Sequence, residues 1–273
     1  MANDNSATSR TITQQLKQVL DQGSIAALAT LIHSSEHVGA KLLVEHSGNT
    51  YGSLGSEALE HAVTEYAANF LESREPTRAF NVAEFAPELT AWLDAKIMFE
   101  RIEPEPRIVI CGAGHVGASL AHLAALVGYR VTLIDDRVEF LTRGSHPDER
   151  IDLVVATDWE ESVRTAIADG HGVSVAVVTR GHNEDEACMR AVVSTRVDYV
   201  GLIGSKRRTN IVLDRLRQAG TDEDRLRHVR APIGLDIGAI TPEEVALAIL
   251  AEIIAQRRGG TGASLSAWRR KRR

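Results

Sequence analysis

The stretch VICGAGHVG, residues 109–117, indicates which fold the chain adopts. It leads from an apolar segment into three glycines, Gly112, Gly114 and Gly117, in the spacing Gly-x-Gly-x-x-Gly. In a strand–turn–helix unit, the first glycine permits a tight turn, the second lets phosphate oxygens approach the backbone, and the third lets helix and sheet pack closely. Free N–H groups and the helix dipole at the start of the helix favour a phosphate there. The stretch therefore predicts a phosphate-binding turn.

The sequence around this turn alternates short apolar strands with amphipathic helices. Strands as apolar as these are buried on both faces, which is typical of a parallel sheet covered by helices. We therefore predict an α/β protein whose C-terminal part is a Rossmann-like, doubly wound parallel sheet. The predicted strands are 107–111, 130–135, 152–156, 173–179 and 199–204, and the predicted helices lie near 115–128, 158–169, 185–195, 206–219 and 242–257.

The residues before this sheet predict a smaller N-terminal α+β domain. Apolar positions between Thr11 and Ser34 indicate helices interrupted near Gly23, and a further helix is predicted at 56–73. Strands are predicted at 38–45, 50–54 and 95–103. Two prolines, Pro104 and Pro106, mark a linker. The predicted organisation is a disordered segment at 1–10, an N-terminal domain at 11–104, a Rossmann-like domain at 105–258 and a basic tail at 259–273.

Composition and charge narrow the classes of function. A net charge of −6 argues against a surface that binds nucleic acid over the whole molecule. The polar opening MANDNSATSR lacks the apolar core of a signal peptide, and the apolar runs are too short to span a bilayer, so we expect a cytoplasmic protein without a membrane partner. The two cysteines, Cys111 and Cys188, lie far apart and predict neither a disulfide framework nor a zinc site.

Candidate binding residues follow the strands that are predicted to meet at one edge of the sheet. Ligands of this fold bind outside the carboxyl ends of the strands. Asp135 ends the second strand where a carboxylate would meet a ribose hydroxyl group, whereas Arg137 could instead favour a ribose with an extra phosphate. The loop 231–238 is apolar, and we expect it to pack over this edge with Asp236 as its polar contact. The predicted cofactor-binding residues are Gly112, Gly114, His115, Gly117, Asp135, Arg137, His182, Gly204, Ser205, Arg208, Gly234 and Asp236.

Several segments of this region together resemble the XdhC/CoxI family of xanthine dehydrogenase accessory proteins. They are CGAGHVG (111–117), LIDDR (133–137), GHNEDEACMRA (181–191), YVGLIGSKRR (199–208) and APIGLDIGAITPEEVALAILAEIIA (231–255). The resemblance implies a non-catalytic chaperone that binds the molybdenum cofactor, molybdopterin, while its terminal sulfido ligand is installed. It also implies delivery to a molybdenum hydroxylase apoenzyme and a cysteine-desulfurase-type sulfur donor as a second partner. A homodimer is a separate expectation.

The N-terminal region resembles the family with differences. Where relatives read Gly-Ser-Leu-Gly-Gly-Gly-Cys-Leu-Glu, residues 52–60 read GSLGSEALE, so Ala58 occupies the position of a cysteine proposed to contact the cofactor. Ser56 and Glu57 replace two glycines, and Arg180 stands where many relatives have histidine.

Two other functions fit the same residues. An NAD(P)-dependent oxidoreductase or NAD(P)-sensing protein is favoured by Asp135, although no Tyr-x-x-x-Lys pair or other catalytic set stands out. An interaction scaffold with a relict ligand site is suggested by Ala58 and Glu57. We predict no catalytic residues and no metal ligands.

Overall fold

The computed structural model of the chain describes residues 4–73, 75–168 and 172–266. They form two compact units, which divide between Pro104 and Glu105. None of the described helices combines the length and the apolar character that a membrane span requires. The last seven residues of the basic tail, 267–273, lie outside the described residues.

The first unit is built on an antiparallel sheet. Its described strands have the order β3-β2-β1-β5-β4. Aromatic side chains from α2, β4 and β5 pack together in its core, with ring centroids 5.4 Å apart for Phe70 and Phe99 and 5.0 Å for Tyr66 and Phe80. The elements are α1 (Asp4–Asp21), β1 (Ala26–His33), β2 (Lys41–Glu45), β3 (Thr50–Ser53), α2 (Glu57–Ser73), β4 (Thr77–Asn81), α3 (Val82–Phe85) and β5 (Lys96–Ile102).

The structure corrects the prediction for the first unit in several places. Residues 26–33, which the sequence predicts to be helical, form the central strand β1, with six consecutive buried residues. A strand buried on both faces has no alternation of apolar and polar residues, so its period does not distinguish it from a helix. Strand β4 was not predicted, because only Phe80 of its five residues is buried. The structure also differs from the expected disorder at 1–10, since α1 begins at Asp4; residues 1–3 lie outside the described part.

The second unit confirms the predicted Rossmann-like fold. Its described strands pair in parallel in the order β10-β9-β6-β7-β8, so the chain leaves β6 for one side of the sheet and later returns to the other. The crevice of such a sheet opens at this switch point, between the loops after β6 and β9. The elements are β6 (Arg107–Cys111), α4 (His115–Leu126), β7 (Arg130–Asp135), β8 (Ile151–Val155), α5 (Trp159–Ile167), β9 (Val173–Val177), α6 (His182–Val193), β10 (Tyr199–Leu202), α7 (Lys206–Gln218), α8 (Glu223–Arg227) and α9 (Pro242–Arg258).

Helices cover both faces of this sheet. Alternate residues of β6 point to opposite sides: Ile108 and Ile110 pack with α4 and α9, whereas Val109 and Cys111 pack with α5, α6 and α7. Cys111 and Cys188 are both fully buried free thiols on the second side. The sheet thus holds the carboxyl ends of its strands in a rigid row.

The outer edge of β10 is covered by the segment 230–233. Arg230 forms a parallel bridge with Gly201, its N–H group donates to the carbonyl of Val200, and its carbonyl accepts from the N–H group of Leu202. Ile233 then donates to the Leu202 carbonyl at 3.0 Å. Two residues of the segment therefore supply the hydrogen bonds that a sixth strand would make.

Candidate functional site

The glycine turn after β6 leaves open space at its centre. Gly112 has φ +111°, and a Cβ atom there would lie 2.7 Å from the carbonyl oxygen of Val178. A Cβ atom at Gly117 would overlap the carbonyl oxygen of Gly112. Gly114 has φ −67°, and a Cβ atom there would have no neighbour within 4 Å. The outer two glycines are needed for packing, and the middle one leaves room for a ligand.

A cavity of about 450 Å³ lies above this turn. Of the predicted binding residues, it brings together Gly112, Gly114, His115, Asp135, Arg137, Gly204 and Arg208. The loops after β6, β7, β9 and β10 all contribute, as expected for the carboxyl edge of a parallel sheet. Its remaining lining residues are Val116, Asp136, Trp159, Val178, Thr179, Arg180, Glu184, Ile203 and Pro242.

The other predicted residues lie outside the lining of this cavity. Gly117 is buried within α4, and His182 is the exposed first residue of α6. Ser205 caps α7, where its hydroxyl oxygen accepts a hydrogen bond from the backbone N–H group of Arg208. Gly234 donates to the carboxylate of Glu252 at 2.9 Å, and Asp236 is exposed. The loop 231–238 packs on β10 and α9, since Ile233 and Leu235 donate to the carbonyl groups of Leu202 and Ala248.

Asp135 is a buried carboxylate whose acceptor positions are already filled. Its Oδ2 atom accepts from the N–H group of Ala113 at 2.7 Å and from Nη2 of Arg137 at 2.9 Å. Its Oδ1 atom accepts from the backbone N–H group and Nε of Arg137 at 3.0 and 2.8 Å. A carboxylate offers about four lone-pair positions. In this arrangement, Asp135 has none left for a ribose hydroxyl group.

These bonds also set the charge of Asp135. Burial alone would raise the pKa of its carboxyl group, but hydrogen bonds from Arg137 and Ala113 lower the pKa to about 2. The Arg137 guanidinium lies over the Phe140 ring, 4.0 Å from its centroid, which fixes the cation in place. Asp135 and Arg137 therefore form one rigid ionised unit beside the glycine turn.

The ion pair between Asp135 and Arg137 should make a pH-dependent contribution to stability. Since the folded-state pKa of Asp135 lies below the unfolded value, its contribution is fully present above about pH 4 and is lost as the pH falls toward 2. The lowered pKa corresponds to about 2 kcal/mol. We expect the difference in unfolding free energy between the natural chain and Asp135→Asn, measured in urea, to shrink by about 1.5 kcal/mol from pH 7 to pH 2.5, because Asp135 is still mostly ionised in the folded chain at pH 2.5. A difference that stays constant with pH would contradict this assignment.

A second buried carboxylate, Asp185, joins the loops after β9 and β10. It accepts a hydrogen bond from the Thr179 hydroxyl group at 2.6 Å and two from Arg208, at 2.9 and 2.6 Å. Arg208 also donates to the Thr179 carbonyl at 3.3 Å. Burial raises the pKa of the Asp185 carboxyl group, and the bonds from Thr179 and Arg208 oppose that increase. The network fixes Arg208 at the border of the cavity.

Several lining residues were not predicted from the sequence. Asp136 and Arg180 form an ion pair at 3.0 Å between the loops after β7 and β9. Trp159, the first residue of α5, adds a half-buried aromatic ring after β8. Each follows a strand, and that position is the signal that could have identified them. Within the described residues, no group of three or more His, Cys, Asp or Glu side chains is arranged to hold a metal ion.

Comparison with known families matches both parts of the chain. Residues 108–253 match the XdhC Rossmann domain, and residues 19–83 match the XdhC and CoxI family. The uncharacterized protein YqeB of Escherichia coli is 28% identical over 252 residues, which cover 89% of this chain and 45% of YqeB. A probable xanthine dehydrogenase subunit of Bacillus subtilis is 32% identical over 162 residues, which cover 59% of this chain and 46% of that protein. The chain thus spans less than half the length of both curated relatives.

A solved structure supports the fold. The crystal structure described as a xanthine dehydrogenase from Bacillus halodurans aligns over 94% of this chain and 99% of its own, with a TM-score of 0.51 and 18% identity. At this identity, the similarity concerns the architecture alone.

Proposed function

Because the chain belongs to the XdhC and CoxI family, we propose that it is an accessory protein that binds the molybdenum cofactor and delivers it to a molybdenum hydroxylase such as xanthine dehydrogenase. One observation carries the proposal: a cavity of about 450 Å³ lies over a helix N-terminus, and Gly114 leaves open space at the turn between strand and helix. The first N–H groups of a helix have no partner within it, and they favour an anion. Molybdopterin carries a phosphate group, which is the kind of anion that a helix N-terminus favours.

The lining also suits a flat ring system. Trp159 offers an aromatic face, and Arg137 offers a planar guanidinium held by Asp135 and Phe140. Planar groups of this kind stack on heteroaromatic rings. We propose that the glycine turn holds the phosphate while Trp159 and Arg137 orient the pterin. The cofactor supplies the oxidation–reduction chemistry of the client enzyme, and this chain binds it and shields it from water.

Ala58 does not take part in holding the metal. It is exposed in the first turn of α2, and its methyl group offers no ligand atom where family members have cysteine. In this proposal, the chain therefore retains the cofactor through contacts with its phosphate group and its pterin ring. The apoenzyme, a cysteine-desulfurase-type sulfur donor and a second copy of the chain remain the proposed partners.

The alternative ligand is a nicotinamide nucleotide. Dehydrogenases of the Rossmann class use a carboxylate after the second strand to bind the ribose hydroxyl groups of NAD. Asp135 has that position, but its acceptor positions are filled by Ala113 and Arg137. This arrangement favours the molybdenum cofactor over NAD.

The test is a set of parallel titrations with molybdenum cofactor, NADH and NADPH. Replacing Trp92 and Trp268 with phenylalanine leaves Trp159 as the fluorescent reporter in the cavity. We expect the cofactor to quench Trp159 and Gly114→Val to weaken its binding about 100-fold, as if one or two hydrogen bonds to a charged group were lost. The unfolding temperature should fall by only a few degrees, since a Cβ atom at 114 meets no atom within 4 Å and the expected cost is that of a poorer N-cap residue.

The matched control is Gly144→Val, which introduces the same side chain in a loop outside the cavity lining. It should bind the cofactor with unchanged affinity. Binding of NADH or NADPH without the cofactor would overturn the proposal in favour of a nicotinamide-dependent protein. Binding of none of the three would favour an interaction scaffold with a relict site.

A further inference from the structure

Every arginine in the lining of the cavity is paired with a carboxylate. Arg137 pairs with Asp135 at 2.8 Å, and Arg208 pairs with Asp185 at 2.6 Å. Arg180 pairs with Asp136 at 3.0 Å, and Oδ1 of Asp136 also lies 3.8 Å from Nε of Arg137. A paired guanidinium attracts a further anion less strongly than a free one. An anionic ligand therefore gains the full attraction of an arginine only if one of these pairs opens.

The three pairs differ in how firmly they are held. The side chains of Asp135 and Asp185 are 2% and 0% exposed, and each accepts hydrogen bonds from more than one residue. Asp136 is 33% exposed, and Arg180 is 50% exposed. A single hydrogen bond, from Nη2 of Arg180, joins these two side chains. Exposed ion pairs contribute little to stability, so this pair is the one that opens at low cost.

The exposed pair of Asp136 and Arg180 also lies beside the glycine turn, where a phosphate group is proposed to bind. Asp136 follows β7 and Arg180 follows β9, and these two strands flank β6 on its two sides in the sheet. The pair therefore spans the edge from which the glycine turn extends, and both residues line the same cavity as Gly114. A phosphate group on the turn would lie between the two loops that the pair connects.

We infer that Arg180 leaves Asp136 to bind an anionic group of the ligand, so that Asp136 competes with the ligand and sets its affinity. The inference rests on the proposed function, because it requires a phosphate-bearing ligand in this cavity. Arg180 retains N–H groups on its guanidinium beyond the one that Asp136 accepts, which suits it to a tetrahedral oxyanion. Asp136 is thereby assigned as a residue that determines affinity and Arg180 as a residue that binds the ligand.

The experiment is a double-mutant cycle with molybdenum cofactor and, separately, inorganic pyrophosphate as probes. We expect Asp136→Asn to bind both probes about three- to tenfold more tightly, and Arg180→Met to bind them more weakly by a similar factor. When Arg180→Met is already present, adding Asp136→Asn should raise the affinity by no more than the control variant does in the natural chain. The control is Asp214→Asn, which makes the same charge change in an exposed pair with Arg217 on α7.

The outcomes separate this inference from the proposed function. If the natural chain binds the cofactor, Gly114→Val loses it and Asp136→Asn leaves the affinity unchanged, the inference is wrong and the proposed function stands. An equal gain from Asp136→Asn with and without Arg180 also overturns it, because the effect is then one of net charge. Failure of the natural chain and of Asp136→Asn to bind either probe overturns both.

Discussion

Replacing Gly117 with alanine is expected to lower the free energy of unfolding by about 3 kcal/mol and to abolish ligand binding. The added Cβ atom would overlap the carbonyl oxygen of Gly112 and lie 3.3 Å from the Val178 side chain. The N–H group of Gly112 is bonded to the Ile134 carbonyl at 2.7 Å, which ties Gly112 to β7 and opposes a movement of its carbonyl group. The helix would have to shift away from the sheet and take the phosphate-binding turn with it. Urea denaturation measures the first effect, and titration measures the second.

A matched variant in the same turn isolates the steric cause. Gly114→Ala adds the same methyl group where φ is −67° and no atom lies within 4 Å. It should lower the free energy of unfolding by about 1 kcal/mol or less, since the methyl group meets no neighbour and the remaining cost is that of alanine as a poorer N-cap residue of α4. Equal destabilisation by the two variants would show that the overlap at Gly117 is relieved by a small movement, against our expectation.

The second large effect is expected from Arg208→Met, which should cost about 3–5 kcal/mol at neutral pH. Removing the guanidinium leaves Asp185 fully buried, with only the Thr179 hydroxyl group to donate to it. An isolated buried carboxylate is strongly unfavourable, whereas loss of an exposed pair is not. Arg215→Met, on the same helix, removes a half-exposed partner of Glu186 at 3.0 Å and should cost less than about 1 kcal/mol, because Glu186 keeps its ion pair with Arg190.

The pH dependence of the Arg208→Met variant provides a further check. Without Arg208, burial raises the folded-state pKa of Asp185 still further above its unfolded value. Such a group favours the folded state when protonated, so the variant should lose stability as the pH rises from about 4 to 7. Adding Asp185→Asn removes the charge and should abolish this loss. If the loss of unfolding free energy in Arg208→Met alone does not vary with pH, Asp185 must reach water when Arg208 is absent.

The sequence predicts the second unit well because its signals are local. The glycine spacing at 112–117 and the apolar strands around it each define their own structure. Strand β1 shows where prediction from local signals fails, because its residues 26–31 are all buried and their polarity does not alternate. That strand is specified by pairing with β2 and β5, through partners such as Leu28↔Leu43 and Ala29↔Phe99. Such partners are distant in sequence, and only the folded sheet shows them.

The candidate site divides in the same way. Residues such as Gly114, Asp135 and Arg208 could be predicted because each follows a strand at the expected edge. How their side chains are paired could not be predicted. The ion pair between Asp136 and Arg180 joins residues 44 positions apart, and the bonds from Arg137 and Ala113 that occupy Asp135 depend on rotamers. These pairings decide whether a carboxylate can accept a hydrogen bond from a ligand or is already occupied by donors of the protein.

The segment at 230–233 has a consequence for how copies of the chain associate. An uncovered edge strand offers its backbone groups to any other strand and can nucleate aggregation. On β10, the N–H group of Leu202 and the carbonyl groups of Val200 and Leu202 are already bonded to Arg230 and Ile233. A second molecule therefore cannot extend the parallel sheet across this margin. Any dimer that forms at this margin must instead use side chains, whose complementarity evolution can adjust residue by residue.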